Sequence, residues 1–173
     1  MSAMAAVMAG AVACLPLVAA AQSITDPQIA AIVVAANQVD VDAGKLAEAR
    51  SGNADVKAFA ERMVVDHTGV NKSATELVTR LGVTPEENAT SRSLKDGGAK
   101  NVAALDALNG AAFDKTYVDH EVAYHAQVLE AVDKTLIPGA HNAELKALLV
   151  KVRPAFVAHL AHAKKLQAQL GKS

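Results

Sequence analysis

Beyond residue 24 the apolar positions recur every three or four residues, and nowhere do they alternate in twos. That spacing is the helical one. Four long stretches carry it. The first opens at Thr25-Asp26-Pro27, where Thr25 or Asp26 can cap a helix and Pro27 suits the first turn. Its stripe is Ile29, Ile32, Val33, Ala36, Val39, Ala43, Leu46 and Ala47, and Ser51-Gly52-Asn53 ends it. The second takes Asn53 as its N-cap and Gly82 as its stop, with Val56, Phe59, Ala60, Met63, His67, Val70, Ala74, Leu77 and Leu81 on one face. The third is predicted over about 111–136, with Val118, Val122, His125, Leu129, Val132 and Leu136, closed by Ile137-Pro138-Gly139. The fourth is predicted over about 142–170, with Leu145, Leu148, Val152, Phe156, His159, Ala163, Leu166 and Leu170. Pro154 lies inside it and is expected to kink it.

Residues 83–98 are polar and rich in turn formers, including Thr84-Pro85 and Asp96-Gly97-Gly98. A short helix is expected at about 99–108, before a break at Asn109-Gly110. Short connections make neighbouring helices antiparallel. The pattern therefore predicts an all-α fold: an up-down-up-down four-helix bundle with an extra short helix between the second and third long helices.

Composition narrows this to one closely packed domain. The 173 residues are 51% apolar and include 38 alanines, but only three Phe, two Tyr and no Trp. So much alanine argues for helices at close range and against sandwiches and barrels. Seventeen basic against 18 acidic residues give a net charge of −1, which excludes a nucleic-acid binder working by general electrostatic attraction.

Residues 1–21 are apolar and uncharged and end in Ala19-Ala20-Ala21, the pattern of a secretory signal peptide cleaved before Gln22. No Lys or Arg marks its start. Pro16 interrupts the stretch and leaves it short for a span of about 20 residues. Ala11-Val12-Ala13-Cys14 offers a fainter lipidation alternative. The expectation is export to the periplasm or beyond, with residues 22–173 as a single mature domain lacking a transmembrane span. The one cysteine, Cys14, would leave with the leader, which excludes an intramolecular disulfide framework and a thiolate metal cluster.

Six histidines remain to be placed. His141 falls in a turn, and His120 and His162 fall beside their stripes, so all three read as solvated. His67, His125 and His159 instead occupy seam positions that call for apolar side chains, each on a different helix. Asp40 lies beside the stripe of the first helix. Asp40 is about 12 residues before Gly52 and His67 about 15 after it, an offset of roughly 5 Å at ~1.5 Å per residue. The same count for His125 and His159 gives about 10 Å. All four fall in the middle third of the bundle.

Two readings stay open for this set. Asp40, His67, His125 and His159 can be ligands of one divalent transition metal, where a nitrogen–oxygen set without sulfur suits Zn, Fe, Ni or Cu. Alternatively they form a hydrogen-bonded polar cluster that sets helix register. Glu121, one turn before His125, and Tyr117 are candidates to support the ligands from behind. Tyr124 reads either as interhelical packing or as a hydrogen-bonding neighbour of the cluster. Asp66 points about 100° away from His67 and reads as solvent-facing. There is no phosphate loop, nucleophile elbow or Glu-x-x-His motif. The reading therefore leans away from an enzyme, and nothing singles out a small-molecule substrate or protein partner. A non-catalytic helical module of the cell envelope, with structural histidines, is the alternative function.

The run Asp40-Val41-Asp42-Ala43-Gly44-Lys45-Leu46-Ala47, then Val56-Lys57-Ala58-Phe59-Ala60-Glu61-Arg62-Met63-Val64-Val65-Asp66-His67, resembles the first half of the bacterial domain of unknown function 4142. Phe113-Asp114-x-x-Tyr117, His125 and Pro154-x-x-x-x-His159-Leu160 resemble its second half, and together the likeness spans about residues 24–170. The resemblance implies an exported, ferritin-like four-helix protein. It also implies a carboxylate at position 40 in the form of Glu, where this chain carries the shorter Asp40.

Overall fold

The computed structural model describes residues 23–172. These form α1 (Asp26–Arg50), α2 (Ala54–Arg80), α3 (Ala89–Asp106), α4 (Gly110–Ala131), a π-helical turn (Val132–Leu136), the three-residue α5 (Ile137–Gly139) and α6 (Ala143–Leu170). No strand occurs among the described residues. No described helix is long and apolar enough to cross a membrane. The leader and its predicted cleavage site lie outside the described residues.

The helix starts follow the capping residues. Thr25 and Gln28 form a reciprocal capping box at α1, and Asn53 accepts from the Asp55 and Val56 amides at α2. Asn142 does the same for Glu144 and Leu145 at α6. Asn109, in front of α4, makes no cap bond of its own; its side chain instead accepts from Arg50 at 2.8 Å. α6 runs through Pro154 as one helix.

Two expectations about the middle of the chain need correction. The segment 83–98 is not a loop followed by a short helix at 99–108, because α3 begins at Ala89 and takes in Asp96-Gly97-Gly98. Gly98 reads as a breaker in sequence, yet it is buried against α1. A Cβ there would stand 2.8 Å from Val39 Cγ2. The glycine thus serves a close helix–helix approach. The third long helix, expected to reach 136, changes winding at Val132, where the Ile137 amide reaches back five residues to the Val132 carbonyl.

The longer α3 changes the topology. Two apolar clusters fill the interior, one built on Ala43, Ala47, Phe59, Met63, Phe113, Val118 and Leu166, the other on Ile29, Ile32, Leu77, Leu136, Leu145 and Leu149. α1 and α6 run from the second cluster to the first, while α2 and α4 run from the first to the second. Arg50, ending α1, accordingly bonds Asp106, Leu108 and Asn109 just ahead of α4. The α6 start meets α1's start, with Asp26 accepting from the His141 and Asn142 amides at 2.9 Å each. The four long helices are therefore ordered up, down, down, up, not up-down-up-down. A helix of 18 residues spans roughly 27 Å, enough to carry the chain back along α1 before α4 begins. α1 packs on α2, α2 on α6, α6 on α4 and α4 on α1, so each pair in the ring is antiparallel.

Candidate metal centre

Between the two apolar clusters lies a polar layer to which each of the four long helices contributes. α1 supplies Asn37 and Asp40, α2 His67, α4 Glu121 and His125, and α6 His159, and all six side chains are buried. The rings of His67, His125 and His159 stand 5.2–5.5 Å apart, centroid to centroid. His67 also stacks on Phe156 at 5.2 Å and 9°. The level matching expected from residue counts therefore holds for all three histidines and for Asp40.

Each ring is fixed by an acceptor on one nitrogen. His67 Nδ1 donates to Asn37 Oδ1 at 2.7 Å. The amide orientation is set because Asn37 Nδ2 donates to the Val33 carbonyl at 2.7 Å. His125 Nδ1 donates to the Glu121 carbonyl at 3.1 Å, and His159 Nε2 donates to Asp66 Oδ2 at 2.8 Å. The opposite nitrogens, His67 Nε2, His125 Nε2 and His159 Nδ1, are buried and have no hydrogen-bond partner. In neutral rings those three atoms carry lone pairs. Ligand atoms of the three histidines lie within 4.8 Å of one another, so this buried group could hold a metal.

A carboxylate stands behind every ring. Asp40 Oδ2 is 3.5 Å from His67 Nδ1, Glu121 Oε2 is 3.3 Å from His125 Nδ1, and Asp66 backs His159. Asp40, expected as a fourth ligand, faces the Nδ1 atoms of His67 and His125 (3.5 and 3.9 Å), not their unpartnered Nε2 atoms. It groups with Glu121 and His125 in a second set of ligand atoms that overlaps the first at His125. Glu121 is fully buried, as central to the layer as Asp40. Asp66, expected to face solvent, is half-buried because α6 brings His159 onto it. His120 and His162, also expected in solvent, are half-buried: His120 stacks on Tyr124 and His162 meets Phe59 edge-on at 5.1 Å. His141 is exposed, as expected. Tyr117 is buried edge-on against Phe59 with its hydroxyl unpartnered, and Tyr124 donates to the Ala36 carbonyl at 3.0 Å.

Burial sets the titration of the layer. It pushes His67 down to about 3, helped by His125 and His159 alongside. It lowers His159 too, against the pull of Asp66. Burial, and then the charge of Glu121, raise Asp40 well above the ordinary carboxylate range. For Glu121 burial works in the same direction, but His120 and His125 outweigh it and hold the carboxyl low. Two adjacent buried carboxylates thus share the site unequally, one tending to keep a proton and the other its charge. Among the described residues no lysine or arginine is buried in the layer.

An all-helical bundle with a buried layer of imidazoles and carboxylates defines the class of this molecule. The family model for a domain of unknown function, DUF4142, matches residues 14–166, and the chain belongs to that family. No curated protein and no solved structure matches the sequence.

Proposed function

We propose that the protein is an exported, ferritin-like four-helix bundle, with α3 as its crossover, that binds one divalent transition metal through His67 Nε2, His125 Nε2 and His159 Nδ1. The observation that carries this reading is that the three buried histidines offer ligand atoms within 4.8 Å of one another while each keeps one nitrogen without a hydrogen-bond partner. An unsatisfied buried acceptor costs about 1–3 kcal/mol, and a single cation would satisfy all three. The carboxylates behind the rings supply the rest of the chemistry. A metal-bound histidine is commonly oriented and made more basic by a carboxylate or carbonyl on its other nitrogen. Buried Asp40 and Glu121 would offset the charge of a dication. A nitrogen set of this kind suits Zn, Cu, Ni or Fe. Three protein nitrogens leave a tetrahedral ion one position for water or a small exogenous ligand. Export rests on the pattern of residues 1–21.

The competing reading makes the histidines a register device, with each ring bonded on one side. It accounts for Asn37, Glu121 and Asp66 but leaves the three facing nitrogens unexplained. Metal analysis of protein purified without a His-tag decides between them. Wild type is expected to retain close to one equivalent of transition metal, and a His67→Ala/His125→Ala double variant a negligible amount. Equal, negligible metal in both after exposure to Zn, Cu, Ni and Fe salts would refute the proposal.

A further inference from the structure

α6 carries a second apolar stripe that the bundle does not bury. Phe156, His159 and Ala163 face inward and are buried. On the opposite side Ala143, Ala147, Val150, Pro154, Val157 and Ala161 recur in alternating steps of four and three residues, and all six are exposed. Val150 and Val157 keep 53% and 42% of their surface in water. The six positions run along about 27 Å of one helix face, at ~1.5 Å per residue. The outward face of α2 is different in kind, with Lys57, Glu61, Arg62, Lys72 and Glu76 exposed. An uncharged exposed face with this spacing is the seam that one helix offers to another. Beside its first half lies a groove of about 300 Å³ between α2 and α6, bordered by Ser73, Leu77, Ala147 and Lys151.

Charge decides what fits there. Glu144 is the one acidic residue of α6, and Arg80 holds it at 2.7 Å. Arg153 is taken by Asp133 at 2.6 Å. Lys146, Lys151, Lys164 and Lys165 lie along the stripe and at its C-terminal end, with no carboxylate partner among the described residues. Two copies of α6 laid face to face would set these lysines against one another, with Glu144 already committed, so a second copy of this chain is a poor match. A lipid surface is a poor match for another reason. Alanine buries little hydrocarbon, and helices that lie in a membrane interface use Trp, Phe or Leu. Small side chains instead let two helices approach closely. We propose that the outward face of α6 docks an amphipathic helix of a partner protein, with small apolar residues at its seam positions and Asp or Glu at the flanking ones. The partner's seam packs against Val150, Pro154 and Val157, and its carboxylates pair with the four lysines. This surface is independent of the metal reading.

A synthetic helix of the same length as α6, with Ala and Leu at the seam positions and Glu at the flanking ones, tests this by NMR on isotope-labelled protein. The glutamates keep the peptide from pairing with itself. It is expected to shift the amide signals of the outward face of α6 and to leave those around His67 and His125 in place. Lys151→Glu/Lys165→Glu should weaken binding about ten-fold or more, as should high salt, with circular dichroism and melting unchanged. A matching peptide with Lys at the flanking positions is expected not to bind. No shift from the acidic peptide at millimolar concentration overturns the proposal. Equal shifts from the two peptides, or shifts confined to another helix, also overturn it. A dimer in sedimentation that Val150→Glu/Val157→Glu abolishes assigns the face to a second copy instead. Signals of α6 broadened by phosphatidylglycerol vesicles but unmoved by the acidic peptide assign it to a lipid surface. Either of these results overturns the proposal.

Discussion

At the scale of the residue, the informative fact is that imidazoles stand where the helical pattern asks for leucine. Burying a polar ring costs free energy unless both of its nitrogens find partners. Asn37, Asp66 and the Glu121 carbonyl each supply one partner, which fixes which nitrogen of each ring is free. The choice of residues behind the rings was hard to see in sequence. Asn37 is one polar residue among several on α1, and its role depends on its side chain turning back to the Val33 carbonyl. Asp66 reads as solvent-facing in sequence because its position on α2 alone points away from His67, whereas α6 covers it. His67 carries a pH prediction. Its pKa is near 3 when folded and about 6.5 when unfolded, so between those values the unfolded chain binds the extra proton. The stability from a neutral buried ring is thus present above about 6.5 and is lost as pH falls. In metal-free protein, the stability of wild type relative to His67→Gln should decline by up to about 1.4 kcal/mol per pH unit from pH 6.5 to 4. Denaturant unfolding at several pH values measures it, and a difference independent of pH would be inconsistent with a neutral buried ring.

At the scale of the element, α1 is the helix around which the others are arranged. It touches α2, α3 and α4, and it does so through small residues. At Gly44 a Cβ would lie 2.9 Å from Val64 Cγ2 and 3.1 Å from the Ala60 carbonyl. At Gly98 the obstacle is Val39, the residue next to Asp40. Gly98→Ala should therefore force α3 away from α1, costing about 1–3 kcal/mol and lowering the melting temperature by roughly 3–10 °C. A calorimetric melting temperature equal to wild type would show that the contact is looser than described. The periodicity of four helices was legible because their apolar stripes are long, and His67, His125 and His159 were found as interruptions of those stripes. The extent of α3 was not, since its polar sequence and paired glycines mimic a loop until α1 is placed against it. The π-helical turn had no sequence signal either. It brings Val132 and Leu136 to a narrow cavity of about 20 Å³ that also borders Asp40 and His67, room for about one water molecule.

At the scale of the whole molecule, the length of α3 decides the topology, and topology decides which faces meet. Because α3 returns the chain along α1, α4 runs parallel to α2 and antiparallel to both α1 and α6. α1, α2, α4 and α6 thereby each cross the polar layer near the middle, with one apolar cluster above and the other below. Such a layer is remote from the frayed ends of the helices and shielded from water. Uncompensated, it would be a liability. On the proposed reading a bound dication would turn it into a stabilising feature, since a ligand that binds only the folded state raises its stability by mass action. Excess Zn(II) should therefore raise the melting temperature of the wild type and leave that of His67→Ala/His125→Ala unchanged. Equal shifts in the two would place the ion on the surface. The most direct measurement is a zinc-edge anomalous difference map from crystals grown with Zn(II). The account predicts a peak about 2.0–2.1 Å from His67 Nε2, His125 Nε2 and His159 Nδ1 together. A map with density at the surface and none among the three rings would contradict it.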